Sequence, residues 1–448
     1  MSKERSLFIC SNCGHEEPKW LGRCPSCGEW NSLREAIVQN LGSSRKRDAP
    51  RAQPLAAIAA KENKRLQTGV DEIDRVLGGG LMKGATVLVG GEPGIGKSTL
   101  MLQLAGTTKT QGRLLYVSGE ESSGQLKMRA DRLGIERSTL EVLCETDLSS
   151  ILVTLNAIKP VVVIIDSIQT LLVDSLGSVP GTIAQIKYAC HEIMSWARQR
   201  GSCVFLVAHV TKDGTIAGPK VIEHMVDTVL YFDQTDSQLR ILRAAKNRFG
   251  SVDEIGLFTM SASGLDQLKD PSSLFMIERH GEMPPGVIVT PVFEGSRVLM
   301  VELQALVVPA KGGISRVFSD RVDPRRVSRV AAVMEKHQKL RFSDQDLYVN
   351  IAGGIRIHEV GIDLPLALAL YSARTSISIP AGISAAGEIT LAGEIRPIAH
   401  IDRRIKAAAD LGYAGFIGPV STETGERSWT AVRTVEGAIR ESFGPKSR

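Results

Sequence analysis

No stretch of this 448-residue chain approaches the roughly 20 consecutive apolar residues of a membrane-spanning helix, so none is expected. The opening Met1-Ser2-Lys3-Glu4-Arg5-Ser6 is not followed by an apolar core. No signal peptide is therefore expected, and a cytoplasmic location is the default. No repeat at a fixed period is present, which argues against solenoid and propeller architectures. Cysteine is sparse: there are seven, and four of them fall within residues 1–30. No large excess of one charge exists either, the net value being +5. What remains is 43% apolar and 23% charged residues, the balance of a soluble globular protein. At this length two or three domains are expected.

The small positive excess is concentrated. Between Asn31 and Arg65, eight basic residues face three acidic ones, an excess equal to that of the whole chain. This segment carries Pro50 and Pro54 and lacks apolar periodicity. It reads as a basic linker over 31–65, suited to nucleic-acid phosphates or simply solvated.

From 66 to 270 strand and helix patterns alternate. Strands are expected at Thr86–Val89, Leu114–Ser118, Val161–Asp166, Val204–Ala208 and Thr228–Phe232. Several are continuous Val/Ile/Leu runs, as in parallel strands buried on both faces. Between two of them, Ile183, Ile186, Cys190, Ile193, Met194 and Ala197 recur at helical spacing. The pattern predicts a doubly wound α/β core. Pro271, Pro284 and Pro285 mark its exit, and a second α/β region follows over 271–448.

Gly91-Glu92-Pro93-Gly94-Ile95-Gly96-Lys97-Ser98 fits the phosphate-binding P-loop, with Thr99 opening the next helix. Glycines let backbone N–H groups converge on phosphate oxygens, and the helix N-terminus adds a favourable dipole. Lys97 is expected on the β/γ-phosphates of ATP and Ser98 on Mg²⁺. The strand ending at Asp166 has the setting of a Walker-B carboxylate beside that ion. Beyond the second strand, Glu120 is the first candidate for the base that orients water, with Glu121 the second. His209 ends another central strand and is read either as a γ-phosphate sensor or as a structural histidine. Lys246-Asn247-Arg248-Phe249-Gly250 is a compact basic motif at a strand end. Its two cations suit a phosphate of DNA, or of ATP in a neighbouring subunit. The bland alternative is a solvated turn.

Cys10, Cys13, Cys24 and Cys27 form two C-x-x-C pairs, each followed by a glycine. Four such thiolates close a tetrahedral shell around Zn²⁺. So short a module cannot build a core alone, and the metal would supply its folding energy. Disulfides are the weaker alternative in a reducing compartment. Trp20 and Trp30 are expected to cover the module. Cys144, Cys190 and Cys203 are expected to be buried core thiols.

With these residues in view, the chain resembles the bacterial RadA (Sms) family of RecA-superfamily DNA repair and recombination proteins. The resemblance runs over essentially the whole length. It rests on the four cysteines of a zinc finger at 1–30, on Thr68-Gly69-Val70-Asp71-Glu72-Ile73-Asp74 leading to Gly78-Gly79-Gly80-Leu81, on the P-loop and on Lys246–Gly250. The C-terminal third resembles the proteolytic domain of Lon. The resemblance implies a hexameric ATP-driven motor on single-stranded and branched DNA, promoting branch migration with RecA. It implies coupling roles for Lys246 and Arg248, and a DNA-facing loop at Thr211–Gly218 that includes Lys212. Where Lon carries its nucleophilic serine, this chain reads Asp363-Leu364-Pro365-Leu366-Ala367, with Leu366 at that position. No lysine stands at 402–404, where the partner is expected. Leucine has no nucleophilic atom and arginine does not deprotonate, so a scaffold without protease activity is expected. Arg316, Arg321, Arg325, Arg326 and Arg329 are read as a phosphate-binding surface or as ordinary exposed arginines. The competing readings are an ATP-dependent Lon-like protease and a regulatory ATPase ring that does not translocate.

Overall fold

A computed structural model describes residues 6–10, 15–37, 54, 64–136, 139–177, 179–209, 221–235, 239–268, 272–277, 279, 283–311, 313–420 and 429–444. The chain divides into two compact units, Met1–Asp233 with Arg240–Gln267, and Gln234–Leu239 with Leu268–Arg448.

The first unit begins with a small antiparallel sheet in which Ser6–Cys10 lies between Glu16–Glu17 and Leu33–Ile37. Among the described residues, Cys10, Cys24 and Leu33 form its apolar interior, with Phe8 against them. Trp20 and Trp30 do not cover this interior; they are 54% and 68% exposed.

The main sheet has nine strands. Their spatial order is Gly264–Gln267, Ile255–Ser261, Leu239–Asn247, Thr228–Gln234, Thr86–Gly91, Cys203–His209, Val162–Asp166, Leu114–Ser118 and Leu140–Cys144. The last six are parallel. Period-two alternation sends Val87, Val89, Tyr116, Ile164 and Val207 to one face, under the helix Lys97–Thr107. It sends Leu88, Val117, Val163, Ile165 and Leu206 to the other, under Ile183–Arg200. Both faces are therefore apolar, which is why these strands read as unbroken hydrophobic runs. The strand Leu140–Cys144 and the three beyond Gln234 extend the predicted set. Leu140–Cys144 sits at the edge, so Cys144 is exposed rather than buried. Cys190 and Cys203 are core thiols as expected, and burial pushes them up to about 12 and about 11.

The second unit holds a seven-stranded mixed sheet. Its long central hairpin pairs Val287–Glu294 with Arg297–Pro309. The helix Asp363–Thr375 packs on this hairpin and is buried from Asp363 to Ser372.

Candidate functional site

The buried strand Thr86–Gly91 delivers the chain to the P-loop. A Cβ at Gly91 would stand 2.6 Å from the Phe232 carbonyl oxygen, so only glycine passes there. Gly96 has φ +111° and would press a Cβ to 2.9 Å from Met260 Cε. Glu92, Pro93 and Gly94 form an exposed rim, while Ile95 anchors the loop inward. Lys97 opens the helix, with Ser98 half-buried beside it and Thr99 buried. Lys97 Nζ donates to the carbonyls of Gly91 (2.8 Å) and Glu92 (2.9 Å) and lies 3.2 Å from His209 Nδ1. Burial holds its ammonium below the ordinary lysine value, although the Asp166 and Glu120 charges oppose that shift. The loop glycines and the helix start fit a phosphate chain.

Three neighbouring strand ends supply the remaining groups. Asp166 ends its strand almost fully buried and accepts a 2.5 Å hydrogen bond from the Tyr116 hydroxyl. Glu120 Oε1 accepts from Ser167 Oγ at 2.8 Å and lies 3.2 Å from His209 Nε2. An ammonium can only donate, so His209 Nδ1 accepts from Lys97 and its Nε2–H donates to Glu120. Lys97, His209, Glu120 and Ser167 thus form one hydrogen-bonded chain. Glu121 is separate from it, paired with Arg129. Neither Tyr116 nor Ser167 was singled out from sequence. The available signal was a tyrosine inside a Leu/Val strand, whose hydroxyl needs a partner when buried.

Lys246–Gly250 lies at the opposite end of the strands from the P-loop. Arg248 N–H bonds the Asp227 carbonyl at 3.1 Å, and Asp227 Oδ2 accepts from Thr86 N–H at 3.1 Å, at the start of the P-loop strand. The five residue steps from Thr86 to Gly91 put about 16 Å between that level and the P-loop. The two cations do not act as one pair. Lys246 Nζ caps the carbonyls of Glu223, His224 and Val226 at 2.7–3.0 Å. Arg248 is half-exposed, 3.3 Å from Asp227. Asn247 donates to Val76 O and accepts from Phe249 N–H, and Gly250 packs on Gly78. Lys212 and the 211–218 loop lie outside the described residues.

Among the cysteines, the Sγ atoms of Cys10, Cys24 and Cys27 lie within 4.8 Å of one another. The Cys10–Cys27 separation is 3.6 Å. Zn–S bonds of about 2.3 Å in a tetrahedron give S···S edges of about 3.8 Å, so the cluster fits zinc. The turn after Cys24 closes through Gly28 N–H to Cys24 O at 2.9 Å, with Gly28 at φ +75°. Cys13 lies outside the described residues.

Residues 8–35 match the rubredoxin metal binding domain family, 51–215 the AAA domain family, and 322–422 the family described as subunit ChlI of Mg-chelatase. DNA repair protein RadA of Treponema pallidum is 50% identical over 426 residues, covering 94% of this chain and 93% of that protein. The chain belongs to the RadA family. RadA of Bacillus subtilis is 41% identical over 462 residues, 99% of this chain and 100% of its own. RadA of Pseudomonas aeruginosa is 41% identical over 426 residues, with 94% of each chain covered. A solved KaiC-like protein of Pyrococcus horikoshii overlays with a TM-score of 0.39 and 20% identity, covering 46% of this chain and 98% of that one, a score too low to carry an argument. The RadA-family architecture here is a RecA-like ATPase core with an N-terminal zinc ribbon and a C-terminal Lon-protease-like domain.

In the Lon-like part of this RadA-family chain, Leu366 is fully buried. Arg404, within the stretch where a Lon-like partner lysine is expected, is 3% exposed and forked onto Glu359 at 2.7 and 2.9 Å. Three of the five arginines read as a phosphate-binding surface or as ordinary exposed residues make internal ion pairs. Arg326 and Arg329 hold the fully buried Asp363 at 3.0 and 2.8 Å. Arg316 is bidentate to Asp346 and lies over the Phe318 ring. Each of these three guanidinium groups is paired with a buried carboxylate, with Arg316 and Arg329 still 54% and 43% exposed and Arg325 exposed beside them.

Proposed function

We propose that this chain is a DNA-dependent ATPase of recombinational repair that translocates on single-stranded DNA and drives branch migration of recombination intermediates with RecA. The carrying observation is the convergence of Lys97, Asp166 and Glu120 on one strand-end crevice. Lys97 binds the β/γ-phosphates, and the Gly91–Thr99 loop cradles them. Ser98 and Asp166 are the residues that would hold Mg²⁺, whose charge would neutralise the transferring phosphoryl group. Glu120, its carboxylate about half exposed to the crevice, orients the attacking water and takes its proton. Arg248 acts on the nucleotide of a neighbouring subunit in a closed ring, for which we infer six members. Lys246 and Asn247 fix the backbone that presents Arg248. A contact to DNA is assigned to Lys212 and its loop, from resemblance alone.

Support for the DNA substrate comes from the relatives, which are named DNA repair proteins, and from the basic 31–65 segment. A cytoplasmic site of action accords with that substrate. The Lon-like domain serves as a scaffold for ring assembly. A protease is disfavoured because Leu366 offers no nucleophile and Arg404 is locked in an ion pair.

The test is ATP turnover with and without single-stranded DNA across a salt series, alongside branch-migration kinetics with RecA. Stimulation by DNA that weakens as salt rises is expected. Lys97→Ala should abolish turnover and movement with the fold retained. Turnover indifferent to DNA at every salt concentration would sink the proposal.

A further inference from the structure

We propose that Tyr116 and Ser167 are positioning residues of the hydrolysis site, each using one buried hydroxyl to fix one of its two carboxylates. The inference rests on the roles given above to Asp166 and Glu120.

Tyr116 is fully buried on a strand whose neighbouring residues are Leu and Val. Phenylalanine would fill that volume without bringing a polar atom inside. The hydroxyl is tolerated because it reaches Asp166 Oδ2 at 2.5 Å. The register Ser118↔Asp166 places the two strands so that a side chain two residues earlier can lie beneath the carboxylate. One oxygen of Asp166 is thereby anchored, and the other is left to face the metal side. Free rotation of that carboxylate would otherwise spread its charge over several directions.

Ser167 repeats the arrangement for the second acid. It too is fully buried, and its Oγ donates to Glu120 Oε1 at 2.8 Å. His209 Nε2 lies on the same oxygen at 3.2 Å. Glu120 is on a loop just past the strand, with a carboxylate 47% exposed. An exposed loop glutamate samples many rotamers unless tethered, and two donors on Oε1 leave Oε2 toward the water. Sequential residues therefore serve different atoms: Asp166 works by its own carboxylate, while Ser167 aims the carboxylate of another loop. Charge-assisted hydrogen bonds of this kind are the strong ones, and losing one to a reacting group costs on the order of ten- to a hundred-fold in rate.

The experiment uses the full-length protein with single-stranded DNA and compares Tyr116→Phe, Ser167→Ala, Glu120→Gln and the double variant of the last two. Tyr116→Phe should raise the half-saturating Mg²⁺ concentration about ten-fold and lower kcat, with KM for nucleotide at saturating Mg²⁺ nearly unchanged. Ser167→Ala should lower kcat on the order of ten-fold without moving the Mg²⁺ dependence. It should add no further loss in the Glu120→Gln background, because its effect passes through that residue. A wild-type Mg²⁺ dependence in Tyr116→Phe, even with a lowered melting temperature, overturns the inference. So does an undiminished Ser167→Ala effect in the Glu120→Gln background. An inactive Glu120→Gln beside a fully active Ser167→Ala defeats the positioning role and leaves the base assignment standing. A fully active Glu120→Gln defeats both.

Discussion

Arg248 and Lys97 belong to the same chain but to opposite ends of the strands, and this separation makes a quantitative prediction. The level of Asp227 and Thr86, where Arg248 is held, is about 16 Å along the strands from Gly91, before any reach to Lys97 is added. No arginine rotamer spans that distance. If Arg248 stabilises the transferring phosphoryl group, it does so for a neighbour. Lys97→Ala and Arg248→Ala should each be nearly inactive alone. Mixed in equal amounts with subunit exchange, a site is intact when its Lys97 comes from one subunit and its Arg248 from the next. Random assembly gives both conditions in about a quarter of sites, so about a quarter of wild-type turnover should return. The assay is steady-state ATP hydrolysis with DNA, at several mixing ratios, with activity greatest at equal proportions. Loss in Arg248→Ala that no mixing ratio relieves would refute action across the interface. So would an Arg248→Ala protein with normal turnover.

Two further predictions concern the other parts of the chain. Zinc should bind at one equivalent per chain and be lost in Cys24→Ser, with the exposed Trp20 and Trp30 reporting collapse of the ribbon by fluorescence; full zinc content in that variant would contradict the site. In the C-terminal unit, burial alone would raise the Glu302 carboxyl, but hydrogen bonds from Arg279 and Gln304 and the Arg279 charge outweigh it and leave it below the usual range. Its stabilisation is therefore present above the unfolded value of about 4.3 and is lost as pH falls through the folded value. Glu302→Gln, which leaves a mostly buried Arg279 unpaired, should cost about 3 kcal/mol in urea unfolding at pH 7 and flatten the acid limb.

Much of the α/β core was legible because its signals are local. Strands buried on both faces read as continuous Val/Ile/Leu runs, and the P-loop glycines encode φ values that other residues reject. The edge was harder to read. Leu140–Cys144 has only half-buried or exposed positions, so it lacks the apolar run that marks its neighbours, and Cys144 was placed inside for want of that context. Tyr116 and Ser167 were missed for a different reason. Their partners are 50 and 47 residues away, and only the register of parallel strands brings them together. Lys246 and Arg248 looked equivalent by spacing. The fold distinguishes them, since one meets three carbonyls and the other an acid that also bonds the first residue of the P-loop strand.

That last contact bears on how a ring could transmit a signal. Asp227 touches Arg248 through its carboxylate and carbonyl, and Thr86 through its other carboxylate oxygen. Thr86 begins the strand that ends in the P-loop. In the ring proposed above, the element offered to a neighbour's nucleotide and the strand bearing the chain's own nucleotide loop would share one residue as a joint. A displacement of Arg248 on engaging phosphate across the interface would be passed to the base of a rigid, fully buried strand rather than dissipated in a loop. In the Lon-like domain, at the positions compared with the Lon dyad, Leu366 is core and Arg404 is bound to Glu359. If the ring proposed above forms, a displacement at Arg248 has a structural route to the chain's own P-loop strand, while Leu366 and Arg404 offer no reacting atom to receive it.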